Sequence, residues 1–370
     1  MSRRTNIINY IISMAVTLIT LFAVVYVCDQ RYREELVDVL PKFLVGAIIA
    51  GLINTFAHEL AHLIVGKKNG FVFSAITVWF FKWYKVKNKV RFAFTMIGEE
   101  AGYTEMIPKN KENLSTRFKK MTLAGPIASF VLMILGVPAF FVKGMSIWLF
   151  CAWSMFLPIG AYIFFTSALP ASSYGVRNDG AVAYGINKKD DVSKVTLNLL
   201  SIQADMYQGK TPAEVDESLY FDLPQLPEDD INFTMLLNAR YLYYLDKEDY
   251  ENAKKVTERL TGLVDDMPKD FRAPVLTHAL YNACTFNYNE DLADDIVYEI
   301  EKYLNNVNNA ANVRAKLAYL LYVKDETQAF DMFYKKGIKE ADRGQIKGLG
   351  LFERKLFEKM KQDFDKRQTN

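Results

Sequence analysis

The sequence predicts a mainly α-helical chain: a polytopic membrane helix bundle of about four spans with a small membrane-surface β-sheet, followed by a soluble α-helical repeat domain. Three observations carry that expectation. Four apolar runs in the first half are each long enough to cross a bilayer. Between the second and third, apolar and cationic residues alternate with a period of two, as in a strand. In the second half, three stretches echo one another at fixed spacing.

The spans run approximately Ile7–Cys28, Leu40–Val65, Met121–Val142 and Ile147–Leu169. The first is too long for a signal-peptide core and no small-residue cleavage site follows it. Residues 1–39 therefore read as an N-terminal membrane anchor helix, and 40–187 as the membrane core. Arg3 and Arg4 precede the first span, and the 67–120 loop carries 12 Lys/Arg against 4 Glu. By the positive-inside rule the loop and the N-terminus are cytoplasmic, and four spans return the C-terminus to the same side. The usage of Lys, Asn, Asp and Tyr leans toward a bacterial plasma membrane.

Within that loop, "VKNKVRFAFT" (86–95) sets Val86, Val90, Phe92 and Phe94 against Lys87, Lys89 and Arg91. Together with "FVFSAITVWFF" (71–81) it reads as a small sheet on the membrane surface, aromatics in the interface and cations near anionic lipid.

The second span contains "HELAH" (58–62). His58 and His62 are four residues apart, so on a helix their imidazoles share one face. That spacing suits two nitrogens of a tetrahedral Zn²⁺ site, with Glu59 as general base. An ionisable residue in a spanning helix is a functional candidate by default. A catalytic zinc takes three protein ligands, and the third histidine, His278, is remote in sequence. Asn178-Asp179-Gly180 alone reads as a turn; beside an H-E-x-x-H short of a ligand, Asp179 becomes the candidate. Cys28, Cys151 and Cys284 show neither metal-ligand spacing nor a disulfide pattern.

In order, "HELAH" (58–62), "EAGYTEM" (100–106), "AGPIAS" (124–129) and "NDG" (178–180) resemble the site-2 protease family of intramembrane zinc metalloproteases. The resemblance covers roughly residues 40–185. It implies one zinc per chain held by His58, His62 and Asp179, with Glu59 activating the zinc-bound water. It also implies that the sheet after the catalytic helix helps hold an extended substrate. The chain departs from the family's usual pattern where Ser129 and Ser167 stand in place of Asn, and where Pro170 lies nine residues before Asp179.

From residue 188 the composition changes sign: 26 Lys/Arg against 33 Asp/Glu, a net of −7. Residues 188–230 read as a connector, with three prolines in its later part, and 231–370 as a cytoplasmic helical domain similar to tetratricopeptide repeats. "ARYLYYLDKEDYENA" (239–253), "ALYNACTFNYNEDLA" (279–293) and "AKLAYLLYVKDETQA" (315–329) each begin and end on Ala. Helix pairs with small residues at close contacts give such an echo.

The expected function is an intramembrane zinc endopeptidase acting on a membrane-spanning or membrane-associated peptide or protein. Its partners would be that substrate, membrane lipid and a protein docked on the helical domain. The alternative is a non-catalytic membrane scaffold that binds partners through the repeats. A net charge of +2 argues against nucleic acid.

Overall fold

A computed structural model describes residues 3–87, 89–95, 101–173, 175–267 and 269–369. Its contacts divide the chain into two units. One comprises Met1–Lys85, Lys89–Ile107 and Asn113–Ser193; the other comprises Val86–Asn88, Pro108–Glu112 and Lys194–Asn370.

The first unit is built on helices α1 (Arg3–Tyr32), α2 (Leu36–Lys68), α3 (Leu114–Gly136), α4 (Ile147–Ser154) and α5 (Phe156–Ala168). Four stretches, Arg4–Tyr32, Val37–Lys68, Leu114–Phe140 and Ile147–Ala168, are long and apolar enough to cross a membrane. The fourth consists of two helices, α4 and α5, meeting at Met155. Large apolar side chains such as Phe22, Leu44, Ile127 and Trp148 lie exposed on these helices, an arrangement suited to hydrocarbon rather than water. Inside, α1, α2 and α4 close around Val24, Cys28, Phe43, Ala50, Phe150 and Cys151. Glycine permits the closest approaches. A Cβ on Gly46 would lie 2.6 Å from the Cys151 carbonyl, and one on Gly160 would lie 2.8 Å from the Met133 Cα.

A four-stranded sheet follows α2, with strands β1 (Phe71–Val78), β2 (Phe81–Val86), β3 (Lys89–Phe94) and β4 (Gly102–Pro108) in the order β3-β2-β1-β4. β1 and β2 pair antiparallel with Ala75 opposite Tyr84 and Val78 opposite Phe81. Phe73, Ile76 and Val78 of β1 are buried and pack on Leu52 and Leu63 of α2, so the sheet is fixed to the helix that bears "HELAH". The single strand expected over 86–95 is divided. β2 ends at Val86, Lys87 takes φ 54°, and β3 begins at Lys89. The period-two pattern survives the turn because aromatics from both strands meet, with Trp83 and Phe92 ring centroids 5.5 Å apart.

After α5 the chain makes a short hairpin, β5 (Ser172–Ser173) against β6 (Val176–Arg177), and enters α6 (Asp179–Lys188).

The second unit is helical: α7 (Asp191–Tyr207), α8 (Ser218–Phe221), α9 (Ile231–Asp246), α10 (Tyr250–Gly262), α11 (Lys269–Thr285), α12 (Glu290–Asn306), α13 (Ala310–Tyr322), α14 (Phe330–Ala341) and α15 (Lys347–Thr369). The segment read as a connector, 188–230, thus holds a 17-residue helix, α7. Its apolar positions, including Val195, Ile202 and Met206, are buried; the proline-rich composition belongs to residues 211–230 alone. The echoed stretches span the turns α9–α10, α11–α12 and α13–α14. Each turn contains one left-handed non-glycine residue, Glu248, Tyr288 or Asp325. The next helix is capped by Asp249 in the first turn and Asn289 in the second. Ala253, Ala279, Ala293 and Ala315 are buried where the helices meet.

Candidate metal centre

His58, Glu59 and His62 are all less than 9% exposed. The two imidazole centroids are 4.8 Å apart with planes at 76°. Helix α3 holds the outer nitrogen of each ring. His62 Nδ1 lies 2.8 Å from the Met121 carbonyl oxygen, which can only accept, so Nδ1 carries the proton. His58 Nδ1 lies 2.9 Å from Ser129 Oγ. With its Nδ1 engaged outward, each ring presents Nε2 inward. Gly125 of α3 faces both Nε2 atoms so closely that a Cβ there would collide with them. Its missing side chain leaves the space in front of the rings open.

Asp179 completes the group. Its Oδ2 lies 3.1 Å from His58 Nε2 and 3.4 Å from His62 Nε2, and the ligand atoms of the three residues fall within 4.8 Å of one another. Each residue of "NDG" has a distinct part in this. Asn178 caps α6 through the Ala181 amide, accepts from the Ala171 amide, and donates to the carbonyls of Thr166 and Leu169. One side chain thereby ties the end of α5 to the start of α6. Asp179 is then the first residue of α6. A Cβ on Gly180 would collide with the Ala168 carbonyl, so only glycine allows the turn to close.

The nine-residue interval after Pro170 contains the β5–β6 hairpin, which brings the chain back. Helix α1 secures that hairpin. Asn9 donates to the Pro170 carbonyl at 2.7 Å, and Asn6 donates to the Ser172 carbonyl at 2.8 Å. The segment expected to be only an anchor thus braces the loop that leads to Asp179.

Glu59 is one position on from His58 and points toward the sheet. Its Oε2 accepts a 2.6 Å hydrogen bond from Thr104 Oγ1 on β4, and Thr104 also reaches the Glu59 carbonyl at 3.2 Å. A Cβ on Gly102, two residues earlier on β4, would lie 2.5 Å from Glu59 Oε1. These contacts give "EAGYTEM" a physical meaning: glycine makes room for the carboxylate and threonine orients it. Glu100, its first residue, lies outside the described residues.

Two imidazole nitrogens and one carboxylate oxygen, with a free carboxylate adjacent, form a donor set that fits zinc. Sequence reasoning singled out these four side chains. It did not assign Ser129, the Met121 carbonyl, Thr104, Asn178, Asn6 or Asn9. Ser129 and Thr104 lie within motifs it noted, but nothing in the sequence says which atoms they touch. His278 belongs to the second unit and is not a member of this group.

The family model of peptidase family M50 matches residues 46–333, well over half of the chain and beyond the last motif at 180. No curated protein and no solved structure gives a significant match. The chain belongs to peptidase family M50, the site-2 protease family.

Proposed function

From membership of this family and the convergence of His58, His62 and Asp179 beside Glu59, we propose that the chain is an intramembrane zinc endopeptidase. The observation that carries the reading is the approach of Asp179 Oδ2 to both Nε2 atoms. It brings together residues 121 and 117 positions apart, each oriented by a separate hydrogen bond. Zinc held by His58, His62 and Asp179 would act as a Lewis acid on the scissile carbonyl and lower the pKa of water to about 7. Glu59 accepts the proton of the attacking water and delivers it to the leaving amide nitrogen, while Thr104 holds the carboxylate in place.

The substrate is a membrane-spanning or membrane-associated peptide. Its helix must unwind for cleavage, because helical carbonyls are already paired and shielded. β4, the strand bearing Thr104, is an edge of the sheet. An edge strand can take up an unwound segment by β-addition. The docking strand is then the one beside Glu59 rather than the 71–95 part of the sheet. The echoed helix pairs serve as a repeat domain that docks the substrate or a regulatory protein. The charge asymmetry of the loops favours both termini in the cytoplasm of a bacterial cell, with the spans in its plasma membrane.

Purified protein should hold about one zinc per chain, and the double variant His58→Ala/His62→Ala should hold almost none. Equal zinc content in the two would overturn the metal assignment. Glu59→Gln should keep zinc and lose cleavage at least about a hundredfold. Comparing membrane-derived peptides from cells carrying wild type or Glu59→Gln reads that loss and identifies the substrate. Identical peptide profiles would remove Glu59 from the reaction.

A further inference from the structure

The buried polar residues of α2 form a stripe, Asn54, Thr55, His58, Glu59 and His62, in a helix whose middle is otherwise apolar. His58, Glu59 and His62 have partners, as described. Asn54 is different. It is fully buried, and among the described residues neither its Nδ2 nor its Oδ1 has a hydrogen-bond partner. A primary amide desolvated without partners is destabilising, the more so in a spanning helix where water is scarce. An apolar residue of the same shape would be tolerated better. Other buried polar atoms also lack partners, Ser154 Oγ and His278 Nδ1 among them, but Asn54 leaves both a donor and an acceptor unpaired one turn from the metal-ligand cluster, where a guest would lie.

Its position indicates which partner. Asn54 is four residues before His58 and on the same face, just over one helical turn or about 6 Å along the axis. In an extended peptide, successive units are about 3.3 Å apart. A substrate whose scissile bond lies at His58 and His62 thus brings a peptide unit one or two residues away to the level of Asn54. A carboxamide presents one donor and one acceptor side by side, matching the N–H and C=O of such a unit. An unwound substrate has those groups unpaired.

Resting on the metal-centre reading above, we propose that Asn54 is a substrate-binding residue, whose carboxamide hydrogen-bonds the backbone of the unwound peptide one to two residues from the scissile bond. It selects for an extended backbone rather than for side chains. The recognition is independent of the β4 edge, since Asn54 is on α2.

Two probes test this without knowledge of the natural substrate. One is a phosphinic pseudopeptide with two leucines on each side of the phosphinate; the other is acetohydroxamate, a chelator with no peptide backbone. Both are titrated against the full-length zinc-loaded protein in detergent, with zinc content and thermal midpoint measured in parallel. Asn54→Leu and Asn54→Ala should weaken the pseudopeptide about tenfold, leave acetohydroxamate within about twofold, and retain zinc. The midpoint of Asn54→Leu should equal or exceed that of wild type, because an unpaired amide is replaced by an apolar group. Pseudopeptide affinity within about twofold of wild type in either folded variant overturns the proposal. So does a lowered midpoint in both variants with both probes weakened, which would make Asn54 a packing residue. Failure of wild type to bind either probe, with no difference from His58→Ala, overturns the metal-centre reading itself and the proposal with it.

Discussion

The membrane unit and the helical unit each bury a cluster of ionisable groups, and they bury them differently. In the helical unit, Arg314 is fully buried and pairs with Glu353 through Nε at 2.8 Å and Nη2 at 3.3 Å. Its guanidinium also lies 4.0 Å from the Tyr281 ring centroid. Beside it the Tyr241 ring lies tilted against His278, and its hydroxyl donates to Asn282, which in turn donates to Thr257. Charge meets opposite charge through two of the guanidinium nitrogens, while Arg314 Nη1 and His278 Nδ1 stay without a hydrogen-bond partner among the described residues. In the membrane unit, two imidazole nitrogens and a carboxylate oxygen are turned toward one another, and an amide one turn away is left unpaired. Burial is alike in the two regions; what separates them is where the hydrogen bonds lead. A cluster whose charges close on one another serves the fold, whereas one whose ligand atoms all face a common point is prepared for a guest.

Substitution at the membrane cluster should sharpen that contrast most. Asp179→Ala should abolish cleavage and deplete zinc while leaving the helices folded. Asp179→Asn, equally good in a turn, should lose activity nearly as far. A nearly silent Asp179→Asn would reduce Asp179 to a turn residue and make the two clusters alike.

The next effect is on stability alone. Arg314→Ala leaves Glu353 charged and unpaired, which should destabilise the helical unit by about 3–5 kcal/mol. The double variant Arg314→Met/Glu353→Leu should recover most of it. Hydrogen exchange in α13 and α15 measures both, and zinc content should not change. Loss of zinc in Arg314→Ala would mean that the helical unit supports the metal centre.

The smallest effect depends on pH. Burial, reinforced by the Arg314 charge, pushes His278 down to about 3. Above the unfolded value of about 6.5 the ring is neutral in both states and contributes nothing. Below it the unfolded chain binds a proton that the native state refuses. Stability then falls as pH drops, by up to about 1.4 kcal/mol per unit toward pH 3. His278→Gln should flatten this slope, read as exchange protection of α11 between pH 7 and 4. An unchanged slope would assign the acid sensitivity to other groups.

Much of this molecule is written locally. Length and hydropathy announce the four apolar spans, because a helix in hydrocarbon satisfies its own backbone and needs only about twenty suitable residues. The four-residue spacing of His58 and His62 places them on one helix face whatever surrounds them. The order of the short motifs points to the family. Local pattern was coarser where neighbours intervene: within 86–95 the strand β3 begins only at Lys89, after the left-handed Lys87, and the stretch read as a connector includes α7.

The rest depends on contacts between residues far apart in the chain. That Asp179 reaches the histidines follows from Asn178 tying α6 to α5 and from Asn6 and Asn9 holding the preceding loop. That the imidazoles turn Nε2 inward follows from Ser129 and Met121 on α3. That Asn54 lies buried with nothing to bond is visible only once other helices surround it. Spacing along one helix sets direction, but the distance between atoms on different helices is set by packing, and hydrogen bonds act only over that distance.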